Sequence, residues 1–88
     1  MEKSAGNLTK QDVLVRVSDD TSPLHIEIKS SVSELYGRAH KVVAEGEFKR
    51  LNVSNGSVWI EDNQALDFVI RARIRAAVYE LRDSGAEI

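Results

Sequence analysis

The chain has 88 residues, 42% hydrophobic and 30% charged, which makes one small globular domain and is too apolar for a disordered one. Twelve basic against fourteen acidic residues leave a net charge of −2, which argues against a general electrostatic attraction to nucleic acid or anionic membrane. The absence of cysteine excludes a disulfide framework, thiol catalysis and thiolate zinc sites. The start Met1-Glu2-Lys3-Ser4 leads into no apolar run, so no signal peptide and no membrane span are expected, and the expected location is the cytoplasm. A domain this small removes only about 60–65% of its unfolded surface from water, so its stability should be modest unless a partner adds to it.

Residues 1–11 show no periodicity and are expected to form a flexible N-terminal arm. From Asp12 the chain alternates, with Val13, Val15 and Val17 on one side and Leu14, Arg16 and Ser18 on the other, the pattern of a half-buried strand. Asp19-Asp20-Thr21-Ser22-Pro23 supplies turn residues, and Leu24, Ile26 and Ile28 then alternate with His25, Glu27 and Lys29. The two strands are expected to pair as a hairpin. Ser30 and Ser31 are good N-caps for a helix whose apolar stripe would be Val32, Leu35, Tyr36, Ala39, Val42, Val43 and Gly46. Glu34 with Arg38 and Lys41 with Glu45 would pair on its outer face, while Phe48 and Leu51 fall off the stripe. Gly46 costs about 1 kcal/mol against alanine in a helix interior, so a bend, a fray or a stop is expected near it.

Asn55-Gly56 is a turn signal that either closes a short hairpin or leads into a single strand ending at Ile60. In both cases Val58 and Ile60 face inward and Trp59 outward. Asp62 or Asn63 would cap a second helix running to about Leu81, with Asp67 favouring its positive end and a frayed tail over 83–88. This helix carries two apolar bands, one of Leu66, Ile70, Ile74, Ala77, Val78 and Leu81, the other of Ala65, Phe68, Ala72, Ala76 and Tyr79. One band should cover the sheet, the other should meet the first helix or a partner. The order β-β-α-β-α over a single domain, 12–82, predicts an α+β two-layer sandwich, a small sheet with two helices on one face.

No catalytic constellation emerges. His25 and His40 are single and distant, with no His-x-x-x-His, nucleophile elbow or Gly-rich phosphate loop, and both read as surface or boundary residues. Asp19-Asp20 and Glu61-Asp62 are adjacent pairs whose side chains diverge on an extended chain, so neither makes a carboxylate dyad or metal site. Arg71 and Arg75 share a solvated helix face, with Asp67 four residues before Arg71. Arg73 lies between the two apolar bands, where it either pairs with a buried carboxylate or snorkels to water. Trp59, with Arg16 beside it on the bare sheet face, has the composition of a docking patch, as does the band of Phe68 and Tyr79.

The segment Asn63-Gln64-Ala65-Leu66-Asp67-Phe68-Val69-Ile70-Arg71-Ala72-Arg73 resembles the "D-K-G-A-L-D-C-x-x-R-A-R" segment of citrate lyase acyl carrier proteins, the gamma subunits, and more distantly a malonate decarboxylase subunit. Glu61-Asp62, Ser30-Ser31-Val32 with Gly37 five residues on, Asp12-Val13, and Ala5-Gly6 with Leu8 extend the resemblance over nearly the whole chain. Gln64 stands for the usual glycine and Phe68 for the usual cysteine. The resemblance implies a subunit in which a serine, two residues before the Asp-Val that opens the first strand, carries phosphoribosyl-dephospho-coenzyme A, its thiol passing an acyl group between a transferase and a lyase subunit.

At that position this chain has Lys10, inside Thr9-Lys10-Gln11. An amine cannot form the phosphodiester that a hydroxyl makes, and a solvated ammonium is a poor nucleophile. Lys10 is therefore expected to stay unmodified, with Thr9, and after it Ser4, as substitute hydroxyls out of register. Biotin or lipoyl attachment at Lys10 is disfavoured because those groups sit at rigid hairpin tips, not in a floppy arm. The expectation is a non-catalytic binding or assembly subunit for larger lyase-like or transferase-like partners, without a cofactor; the alternative is a genuine carrier using a non-standard attachment residue.

Overall fold

A computed structural model describes residues 1–30 and 34–88, with side chains outside 31–37. In chain order the elements are β1 (Glu2–Gly6), β2 (Asp12–Pro23), β3 (His25–Ser30), α1 (Glu34–Arg50), β4 (Asn55–Asn63) and α2 (Asp67–Asp83). Four strands form one sheet in the order β1-β2-β4-β3, and both helices cover the same face: an α+β two-layer sandwich.

Three departures from the sequence pattern in the strands and the first helix have physical causes. First, residues 2–6 are not a free arm: they form the edge strand β1, antiparallel to β2, with Lys3 opposite Val17 and Ala5 opposite Val15. Edge pairing rests on backbone hydrogen bonds and leaves little apolar periodicity to read. Second, β2 and β3 do not pair. β4 inserts between them, antiparallel to β2 and parallel to β3, so that β3-α1-β4 is a βαβ crossover. The segment read as a turn is an irregular continuation of β2, with its register shifted between Ser18 and Pro23. Asp20 accepts hydrogen bonds from the hydroxyls of Ser22 and Ser57, and Leu24 N donates to Ser54 O at 3.0 Å, so this stretch is tied to β4. Asn55-Gly56 therefore opens a single strand, the second of the two possibilities.

Third, α1 is rotated from the expected stripe. His40, Ala44, Glu47, Phe48 and, just past its end, Leu51 are buried, while Ala39, Val42 and Gly46 are exposed. Two polar residues lie on the buried face, and an apolar count passes over them. The expected contributions of Ser31, Val32, Glu34, Leu35 and Tyr36 lie outside the described side chains. Gly46 neither bends nor stops the helix, which runs on to Arg50. The stop is Asn52 at φ 59°, where Asn52 N donates to Lys49 O and Val53 N to Phe48 O, a Schellman closure.

Helix α2 buries Ile70, Ile74, Ala77, Val78 and Leu81 against the sheet valines, while Leu66, Phe68 and Tyr79 of the expected bands are exposed. Its N-cap is Leu66 rather than Asp62 or Asn63, although Asp62 Oδ1 accepts the Ala65 N–H at 2.9 Å just ahead of it. The tail does not fray. Gly85 at φ 95° closes a second Schellman motif, Ile88 packs on the core, and Arg82 Nε donates to Ile88 O at 3.0 Å.

Candidate functional site

Lys10 and Thr9 lie exposed in the turn that joins β1 to β2. The turn is fixed to the end of β4: Gln11 N donates to Asn63 O at 2.8 Å, Asn63 Nδ2 donates to Leu8 O at 3.1 Å, and Asp12 N donates to Thr9 O at 3.1 Å. Gln11 takes φ 63°, and Gly6 takes φ 94° where a side chain would run into the Val13 carbonyl. Lys10 thus stands on a held hairpin tip, not in a floppy arm, and that objection to a modified lysine no longer applies. Ser4 sits within β1 opposite Arg16, away from the tip.

Behind the tip, Arg73 finds its partner in Asp12. Arg73 Nε donates to Oδ1 at 3.2 Å and Nη2 to Oδ2 at 2.9 Å, a two-pronged contact between α2 and the base of the hairpin. The guanidinium, together with the Val13 N–H at 2.7 Å, holds the Asp12 carboxyl below its usual range against the opposing effect of burial. Of the two fates open to Arg73, pairing is the one adopted, with its side chain still 38% exposed.

Between the α2 entry and α1 lies a groove of about 700 Å³ lined by Ala39, His40, Gln64, Ala65, Leu66, Asp67 and Phe68. His40 is buried, not a boundary residue, and its Nδ1 lies 2.8 Å from Oδ2 of the fully buried Asp62. Ser30 Oγ donates to the same oxygen at 3.3 Å. Asp62 thereby ties β3, α1 and the β4–α2 turn together, a role that Glu61-Asp62 as a sequence pair did not disclose. Among the described residues no three His, Asp or Glu side chains gather to hold a metal ion, and no helix is long and apolar enough to cross a membrane.

The four docking candidates divide between opposite faces. Trp59 and Arg16 are register neighbours on the sheet face that the helices leave bare, the Arg16 guanidinium 5.8 Å from the indole centroid. Glu61 accepts the indole N–H at 2.9 Å and lies 4.0 Å from Arg16, while Arg16 Nε is buried with no hydrogen-bond partner among the described residues. Phe68 and Tyr79 lie on the outer face of α2, each more than half exposed. Near them is a feature the pattern did not reveal. Glu47 of α1, its side chain 1% exposed, is gripped by Arg50 at 2.6 Å and approached by Arg75 of α2 at 3.7 Å. Arg50 chiefly, with Arg75 and Arg71, holds the Glu47 carboxyl below its usual range. Arg75 is therefore partly engaged at the helix seam rather than simply solvated.

Comparison with known proteins places these features in a family. Residues 1–81 match the acyl carrier protein family described as malonate decarboxylase delta subunit. A citrate lyase acyl carrier protein of Pectobacterium atrosepticum is 37% identical over 82 residues, 93% of this chain and 85% of that protein. One of Escherichia fergusonii is 40% identical over 75 residues, covering 84% and 77%. Among solved structures, a Pseudomonas malonate decarboxylase hetero-tetramer in complex with malonate has a chain matching 91% of this one and 82% of its own length, with TM-score 0.69 and 22% identity, which establishes a shared fold.

Proposed function

This chain belongs to the acyl carrier family of malonate decarboxylase delta subunits and citrate lyase acyl carrier proteins, and from that premise we propose that it is a non-catalytic subunit of a lyase-type complex that carries no prosthetic group of its own. The observation that carries this reading is Lys10: an amine at the exposed hairpin tip, where the resemblance calls for a serine hydroxyl. Phosphoribosyl-dephospho-coenzyme A would be joined there through a phosphodiester oxygen, and Lys10 has none to offer. Thr9 offers a hydroxyl on the same turn, but a secondary one displaced by a residue, on a backbone held by Asp12 and Asn63. The residues present do not fit the group.

The remaining role is assembly. Larger lyase-like or transferase-like subunits would dock on the chain and draw on free coenzyme A thioesters. Trp59 with Arg16 on one face, and Phe68 with Tyr79 on the other, give it two surfaces for two neighbours. The test is the intact mass of protein purified from its native host, expected to equal the bare polypeptide apart from Met1 removal. A Lys10→Ser variant, given the family's prosthetic-group transferase, should gain the phosphoribosyl-dephospho-coenzyme A mass, and the wild type should not. A native mass carrying that addition, mapped to Thr9 or Ser4, would restore the carrier alternative.

A further inference from the structure

The helix layer and the sheet layer carry opposite charge. Helices α1 and α2 together hold eight basic and six acidic residues, while the rest of the chain holds four basic and eight acidic. Within the positive layer the cations concentrate at the seam between the helices. Arg50 and Arg75 are tethered to the one buried carboxylate of Glu47 yet keep 59% and 43% of their side chains exposed, and Arg71 lies close enough to act on the same carboxylate. Three guanidinium groups around one buried anion leave a local excess of positive charge, held in place before any partner arrives. The acidic residues of α2, Asp67 in its first turn and Glu80 and Asp83 in its last, leave the middle to the arginines.

The same stripe is apolar. Phe68, Ala72, Arg75 and Tyr79 follow one another at spacings of four, three and four, so they share one face of α2, opposite Ile70, Ile74 and Ala77. At 1.5 Å rise per residue the stripe is roughly 16 Å long, about three helical turns of a partner. Aromatic residues and arginine side by side are the composition of binding hot spots. The Trp59 face also sets an aromatic beside an arginine, but its indole is already held by Glu61 and Arg16, and its layer is negative.

We propose that the Phe68–Tyr79 stripe of α2, with the arginine cluster at its seam with α1, docks an acidic amphipathic helix of a larger partner subunit, apolar side chains on the aromatics and carboxylates on the guanidinium groups. This rests on the reading of the chain as a docking subunit. The test is a nitrogen-15 amide titration of the full chain with two synthetic helical peptides of identical leucine spacing, one with glutamates and one with lysines at the flanking positions. The acidic peptide should shift amides over 68–79 and 47–50, more weakly as salt is raised, and the lysine peptide should not. Phe68→Ala, at an exposed position, and Arg71→Gln should each weaken the acidic peptide at least about tenfold while the melting temperature stays within a few degrees. Shifts centred on Trp59, equal binding of the lysine peptide, no saturable shift at millimolar peptide, or equally strong binding to vesicles of mixed phosphatidylcholine and phosphatidylserine would each overturn the proposal. The intact mass of the native protein is a separate readout, so failure here is distinguishable from failure of the assembly reading.

Discussion

Arg73→Ala is the perturbation whose size the structure fixes best. It removes two charge-assisted hydrogen bonds to Asp12 and the aliphatic stem whose Cδ lies 3.2 Å from where a side chain on Gly6 would begin. A hydrogen bond to a charged group contributes about 1.5–3 kcal/mol. Arg73 is 38% exposed and Asp12 keeps the Val13 N–H, so screening and the surviving bond place the total near the low end, about 2 kcal/mol. In a domain of this size that lowers the melting temperature by roughly 8–16 °C. Arg71→Ala, at an exposed position, should stay within about 0.5 kcal/mol. The Asp12 carboxyl is held below its usual range in the folded state, so the unfolded chain takes up its proton first on acidification. The contribution of the pair is therefore complete above about pH 4, the unfolded carboxylate value, and is lost as pH falls through the folded value. Urea midpoints of wild type and Arg73→Ala should converge below pH 4. Equal midpoints for the Arg71 and Arg73 variants at pH 7, or a gap that does not narrow in acid, would refute the reasoning.

Gly46 sits exposed within α1 with no atom within 4 Å of an added Cβ, so Gly46→Ala should raise stability by about 1 kcal/mol in urea denaturation. Gly6→Ala, which forces a side chain against the Val13 carbonyl at φ 94°, should cost about 2 kcal/mol or more by the same measurement. Gln64 holds φ 63° at the position where the resembling segment has glycine, so Gln64→Gly should stabilise by about 0.5–1 kcal/mol after the added chain entropy, read as a higher melting temperature. Trp59→Ala should change stability by only about 1 kcal/mol while weakening co-purification with the larger subunits of the native host; loss of the folded circular-dichroism signal would place Trp59 in the core instead.

The inner face of the sheet was legible because the alternation at Val13, Val15, Val17, Ile26, Val58 and Ile60 is strict and all six are buried. Their pairing was not. Alternation says which face a side chain takes, and nothing in it tells a β2–β3 hairpin from the same two strands with β4 between them. The bonds that decide it, from Ser57 to Asp20 and from Leu24 to Ser54, join residues 37 and 30 positions apart. The rotation of α1 was hidden for a different reason. Its buried face includes His40 and Glu47, each matched by a distant group, Asp62 and Arg75, so burial there follows partners rather than hydropathy.

The hairpin tip shows how the two sources of inference divide. Polar content without period at 1–11 is what a mobile arm shows, and equally what an edge strand with a turn shows, because both leave side chains in water. The pairing of β1 with β2, the tertiary bonds with Asn63 and the Asp12–Arg73 pair separate the two states. For a carrier the difference matters: a group on a free arm explores a sphere set by the chain, whereas a group on a held tip reaches only as far as its own length. The tip here is fixed to β4 and α2 before any modification, so reach would have to come from a prosthetic group, and the side chain in its place is a lysine. A held tip whose hydroxyl, on Thr9, stands one residue out of register, backed by two chemically distinct outer faces, is the ground for the proposal that this subunit positions its neighbours rather than shuttling between them.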